Sequence, residues 1–170
     1  TDVIARQVVE PGQPGRDAVR ARFGDAVFGA DGHLDRRRLR ELVFDDPDAR
    51  RDLEAALHPL IRTRTLEIAA QAGGPYQVLV VPLLFETGFD ALVDRVLVVD
   101  CPESVQRSRL LARDAETPDR IERMLAAQAD RRDRLSRADD VIDNTGTPEQ
   151  TRARVDALHA QYLQLARASQ

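Results

Sequence analysis

Gln106, Arg109 and Arg113 recur at intervals of three and four, so they share one face of a helix. They follow Arg95-Val-Leu-Val-Val-Asp100, an apolar run without alternation, which reads as a strand buried on both faces of a parallel sheet. Pro102 sits where a helix begins. Ligands of open α/β sheets bind at the carboxyl ends of the strands, and arginines just beyond such an end suit a phosphate-bearing ligand. Arg109 and Arg113 repel one another by roughly 0.2–0.5 kcal/mol in an isolated helix. Arg109 has no acid three or four places away, and neither do Arg131 and Arg132, whereas Asp130 can pair with Arg134 and Asp133 with Arg137. The plainer alternative is a solvated, arginine-rich surface.

Other groups allow two readings each. Asp100 can hold Mg²⁺ through water or cap the helix after it. His58, before Pro59, is either a helix-junction residue or a ligand. Glu86 is a site acid or an exposed residue after a strand. Asn144 and Gly146 make a tight turn or a loop that admits a flat base. Cys101 reads as a small buried hydrophobe. No zinc spacing and no nucleophile elbow occurs, so no metal-ligand set is expected.

Strands and helices alternate, giving an α/β fold with a parallel sheet and helices on both faces. Val3–Val9 is a short apolar patch. Arg16–Phe23 is a helix stopped by Gly24, and Asp31-Gly32 is a turn. Asp35 caps a helix to Phe44 with Leu39, Leu42 and Val43 inside. Asp46-Pro47 starts another; His58-Pro59 interrupts it and launches a further helix with Leu60, Ile61, Leu66 and Ile68 buried. Val78–Leu84 reads as a strand, with Pro82 where pairing ends. Thr117 caps a long helix to about Arg137 with Ile121, Met124 and Leu125 buried. Asp140–Asp143 is a strand, and Thr147-Pro148 starts a last helix with Val155, Leu158, Tyr162 and Leu165 as its seam.

The chain has 170 residues, enough for one domain, and a net charge of −4, which argues against general nucleic-acid binding. One cysteine excludes an internal disulfide, and no apolar run is long enough to span a membrane, so the cytoplasm is the expected compartment. All 25 basic residues are arginine, so no lysine chemistry is available within this stretch.

Six stretches, taken together and in order, resemble the dephospho-coenzyme A kinases. They are Asp2-Val-Ile-Ala-Arg-Gln-Val-Val-Glu-Pro-Gly12, His58-Pro-Leu-Ile-Arg62, Val80-Val-Pro-Leu-Leu-Phe-Glu86, Val96-Leu-Val-Val-Asp-Cys101, Arg123-Met-Leu-Ala-Ala-Gln128 and Asp139-Asp-Val-Ile-Asp-Asn-Thr-Gly146. The resemblance implies a fold of the P-loop type and an ATP-dependent, Mg²⁺-dependent phosphorylation of the ribose 3′-hydroxyl of dephospho-coenzyme A. Dephospho-coenzyme A and ATP are then the small-molecule partners.

By position, the resemblance makes Asp2 the acid that accepts the hydroxyl proton. Arg6, His58, Arg62 and the turn of Pro82, Leu83, Leu84 and Glu86 lie by the acceptor. Arg109 is the nucleotide-phosphate arginine with a catalytic part. Arg113 and Arg131 belong to the ATP side, and Asn144 and Gly146 to its adenine loop. Residues 1–170 form one kinase domain, with 13–74 a helical substrate-binding insertion and 109–137 a lid. The family also has an opening strand and a glycine-rich phosphate loop with a lysine. Neither stands in these residues, so about 30 more are expected before Thr1, the size of a βαβ unit less its last strand. Without them the stretch is expected to be inactive, and the alternative is a non-catalytic module that binds coenzyme A-like ligands.

Overall fold

The computed structural model describes residues 1–44, 46–114 and 117–168. The chain forms two compact units, Thr1–Pro82 and Leu83–Gln170.

The first unit is helical: α1 (Asp2–Gln7), α2 (Pro14–Phe23), α3 (Arg36–Phe44) and α4 (Pro47–Gln71). Its starts are set by local chemistry. Asp35 Oδ1 accepts the N–H groups of Arg37 and Arg38 at 3.1 and 3.0 Å, and those bonds, led by Arg38, hold its carboxyl below the usual range. Asp46 Oδ1 does the same for Asp48 and Ala49, with Pro47 at the first helical position. Val8, Val9, Val19, Val27, Phe28 and Leu39 make the core, and Leu53, Leu57, Leu60 and Ile61 of α4 close over it. Between α2 and α3, Phe28 bridges Leu34 across a turn in which Gly32 takes φ +75°. The Arg20 guanidinium lies 4.4 Å over the Phe28 ring.

The second unit holds β1 (Leu97–Asp100) and β2 (Asp140–Asp143), joined in parallel with Leu97 opposite Asp140 and Asp100 opposite Asp143. Between them run α5 (Glu103–Asp114), α6 (Pro118–Ala126) and α7 (Arg131–Ser136); α8 (Pro148–Ala168) follows and packs on β2. Asp139 and Asp140 pin the ladder's start. Asp139 Oδ2 accepts Val96 N–H at 2.7 Å, while Asp140 Oδ2 takes Arg95 at 3.1 Å and the Tyr162 hydroxyl of α8 at 2.9 Å. Thr147 and Gln150 cap α8 reciprocally.

Several expectations need correction. Val78–Leu84 is not a strand: Val78–Val81 pairs with no strand among the described residues, and turns begin at Pro82. Exposure alternates along it, with Val78 and Val80 at 66 and 73 %, as on an extended segment with no ladder to enter. It lines a groove of about 390 Å³ with Ile4, Thr65 and Ile68. β1 is not buried on both faces, since Val99 is 58 % exposed. Pro59 does not break α4, which runs 25 residues through it. Proline removes one i to i−4 bond, and packing against α1, α2 and α3 carries the helix past the gap. The long helix from Thr117 is two helices, because Asp130 caps α7 by accepting Arg132 N–H at 2.7 Å; Thr117 makes no side-chain cap bond. Leu42, Leu66, Ile68, Met124, Val155 and Leu165 are exposed rather than inside. Residues 115 and 116 of the expected lid lie outside the described residues.

Gly15 is where α2 crosses the end of α1. A Cβ there would stand 2.4 Å from the Val8 carbonyl oxygen, a backbone atom that cannot swing away. Gly→Ala at a compatible helical site stabilises by about 0.4–1 kcal/mol. Here the overpacking cost of about 1–3 kcal/mol outweighs it, so Gly15→Ala should lower the urea midpoint at unchanged slope. A midpoint that rises would remove the close crossing.

Candidate functional site

In the first unit, Asp2 and Arg6 stand one turn apart on α1, and His58 and Arg62 one turn apart on α4. The two helices pack on each other. All four side chains are exposed, and none has a hydrogen-bond or ion-pair partner among the described residues. Elsewhere in this unit acids and arginines pair with one another: Arg22 with Asp52 at 2.6 Å, Arg20 with Asp25 at 2.7 Å, Arg64 with Glu67 at 3.0 Å. Arg36 joins the set unforeseen. Its guanidinium donates to the Arg6 carbonyl at 3.3 Å, a contact across 30 residues that no local spacing announces. Pro82, at the end of this unit, is exposed.

In the second unit, chemistry gathers where β1 and β2 end side by side. Asp100 and Asp143 are register partners there. Asp100 neither caps α5 nor stands open for a cation: Arg131 forks onto it, Nε to Oδ1 at 2.9 Å and Nη2 to Oδ2 at 2.6 Å. That bond holds the guanidinium pKa above its usual range. The Asp143 carboxyl is pushed below the usual range by the Thr145 hydroxyl and N–H, with Arg131 adding to it. Asn144 N–H donates to the Asp100 carbonyl at 2.8 Å, and its Oδ1 accepts the Thr151 hydroxyl at 3.2 Å. The Asn144–Gly146 loop is therefore fixed to the strand ends on one side and α8 on the other. Gly146 is exposed.

A cleft of about 370 Å³ opens between α5, α6 and α7, with Gln106, Arg107, Glu122, Arg131 and Arg134 on its walls. Gln106 reaches back to the Cys101 carbonyl at 2.9 Å, and Cys101 itself is buried. Arg107 grips Glu122 with two bonds, at 2.6 and 2.8 Å, and also meets Glu103. Glu103 was legible at the i+4 spacing; Glu122 was not. Arg109 is exposed on α5, outside the cleft wall, and has no partner among the described residues. Arg113 lies one turn further along α5. Leu83 and Leu84 are half-buried in a turn closed by bonds from Thr87 and Phe89. Glu86 is no idle surface acid: its Oε1 accepts the Ala129 N–H at the break between α6 and α7. Asp133 does not take Arg137, which instead meets Asp90 and lies 4.1 Å over the Phe85 ring.

The family model described as Dephospho-CoA kinase matches residues 1–150. A dephospho-CoA kinase of Thiobacillus denitrificans is 56 % identical over 167 residues, covering 98 % of this chain and 83 % of that protein. The dephospho-CoA kinase of Escherichia coli K12 is 49 % identical over 165 residues, covering 97 and 80 %. A crystal structure from Thermus thermophilus superposes with a TM-score of 0.79 at 31 % identity, covering 94 % of this chain and 81 % of that one.

Asp143 gives the strand ends a pH signature. Its folded pKa lies below the unfolded value of about 3.9, so its contribution is complete above that value and is lost as pH falls through the folded one. The stability gap between wild type and Asp143→Asn should be full near about pH 7, and should shrink as pH falls below the unfolded value and through the folded one. Urea midpoints across that range check it; a gap constant with pH would refute the assignment.

Proposed function

The chain belongs to the dephospho-CoA kinase family, and on that premise we propose how its residues divide the reaction. The activity is ATP-dependent transfer of a phosphoryl group to dephospho-coenzyme A, a step of coenzyme A synthesis. The acceptor is the ribose 3′-hydroxyl. Its oxygen bonds to the γ-phosphorus, the bridging P–O bond to ADP breaks, and the hydroxyl proton leaves. Such transfer depends on positioning and on stabilising charge. Relatives at 49–56 % identity that are kinases do not favour a non-catalytic module.

Asp2 orients the hydroxyl and takes its proton on the carboxylate, late in the transfer. Arg6, His58 and Arg62 hold the acceptor, with guanidinium forks on its phosphates. Pro82, Leu83, Leu84 and Glu86 border that substrate. Arg109 meets the charge that builds on the transferring phosphoryl group. Arg113 and Arg131 hold ATP phosphates, and Asn144 and Gly146 receive the adenine. Residues 13–74 serve as the acceptor insertion and 109–137 as the lid of one kinase domain. The observation that supports this division best is that no described residue partners the side chains of Asp2, Arg6, His58 and Arg62. Paired a turn apart on two packed helices, they keep their hydrogen-bonding capacity for a ligand.

ATP enters as its Mg²⁺ complex. No three His, Cys, Asp or Glu residues group to hold a metal among the described residues. Asp100 is taken by Arg131, which suits an ion carried on the phosphates better than a resident one. No helix among the described residues is long and apolar enough to cross a membrane. The cytoplasm, where ATP is abundant, is the proposed compartment.

Steady-state kinetics of the natural gene product test the division. Asp2→Asn should lower kcat by about 10²–10⁴ with both KM values little changed. Arg62→Ala should raise KM for dephospho-coenzyme A and leave that for ATP alone. An Asp2→Asn enzyme with more than about a third of wild-type kcat would remove the proton-acceptor role.

A further inference from the structure

The break between α6 and α7 brings Arg131 to the end of β1, and one residue outside the lid holds that break. After Ala126 the helical ladder closes through Ala127 and Gln128, which donate to Arg123 and Leu125. Ala129 N–H finds its acceptor outside the helix, in Glu86 Oε1. The Ala129 carbonyl accepts Arg134 Nη1 at 2.5 Å. Both polar backbone groups of this residue are therefore committed, the N–H to the turn at Glu86 and the carbonyl to α7. Asp130 then caps α7 at Arg132, and Arg131 between them forks onto Asp100. The turn that carries Glu86 is tied to α7 again through Arg137, which meets Asp90 and covers Phe85.

We propose that Glu86 is the positioning residue for Arg131. By accepting the Ala129 N–H, it fixes the pivot from which Arg131 reaches the strand ends, and so sets the enzyme's hold on ATP. This rests on the assignment of Arg131 to the ATP phosphates. The Glu86 side chain is exposed and its second oxygen has no partner among the described residues, so bulk burial and ion pairing do not explain its place. What the site requires is an acceptor at one point rather than a negative charge. Glutamine supplies that acceptor and alanine does not. The ends of Phe85–Glu86 and Ala129–Arg131 also join the turn proposed to border the acceptor with the element proposed to bind the nucleotide. A displacement of that turn is thereby carried to Arg131.

Kinetics of Glu86→Ala, Glu86→Gln, Arg131→Ala and the Glu86→Ala/Arg131→Ala double variant test it, with amide exchange at Ala129 in the same proteins. Glu86→Ala should raise KM for ATP about tenfold, the equivalent of one lost hydrogen bond at about 1.4 kcal/mol. It should also speed exchange at Ala129 while leaving the Val19 and Ile142 amides protected. Glu86→Gln, which keeps an acceptor for the Ala129 N–H, should hold the wild-type KM for ATP and the wild-type exchange at Ala129, whatever it does to KM for dephospho-coenzyme A. The double variant should be no worse than Arg131→Ala, because the two act through one element. Full additivity in the double variant overturns the inference and leaves the ATP assignment standing. So does a rise confined to KM for dephospho-coenzyme A in both Glu86 variants. An Arg131→Ala enzyme with unchanged KM for ATP overturns the ATP assignment, and the inference with it. Should Glu86→Ala not fold, Glu86→Met, which fills similar space without an acceptor, carries the same expectations.

Discussion

A carboxylate at the buried end of a strand must be neutralised, and the second unit is arranged around that requirement. Asp100 is held nearly out of solvent where β1 stops. An uncompensated charge there would destabilise the fold, whereas a forked guanidinium satisfies both oxygens at once. Arg131 must therefore come to the strand end. For it to come there, the chain between α6 and α7 has to turn, and the caps at Asp130 and Ala129 follow from that turn. The parallel register does the rest. It sets Asp143 beside Asp100 and delivers the Asn144 loop to the same edge.

The first unit shows the opposite economy of charge. Its arginines and acids mostly find each other across the helix surfaces, as exposed pairs of small individual worth. Against that background Asp2, Arg6, His58 and Arg62 pair up a turn apart on two packed helices with side chains that no group among the described residues engages. The apolar interior of this unit comes from α1, α2, α3, α4 and the bridge at Phe28, and it holds the two helices without help from those side chains. A surface whose polar groups are structurally idle can be given over to a ligand without weakening its scaffold.

What could be read in the sequence was local. Asp35, Asp46 and Thr147 announce helix starts through bonds that span two or three residues, and prolines at 47, 118 and 148 mark first turns. The strands at 97–100 and 140–143 were legible as apolar runs ending in acids. Long-range partners were not. Nothing near Arg131 predicts Asp100, 31 residues away, nor does Glu86 predict Ala129 across 43. Val78–Val81 misled because strand chemistry needs a neighbour as well as a composition. Pro59 misled because a helix held by three others tolerates one lost bond that an isolated helix would not. The ordered motifs identify the family, and the contacts add how those residues are held.

The proline inside α4 leaves the helix one rung short, between its ring and the carbonyl of Ala55. Mechanically, α4 is one rod with a joint at that missing rung, anchored before it by the Asp46 cap and after it by the core contacts of Leu60 and Ile61. His58 sits at the joint and Arg62 on the turn after it. A ligand taken up by His58 and Arg62, as proposed, would thus meet the stretch of α4 whose backbone ladder is thinnest.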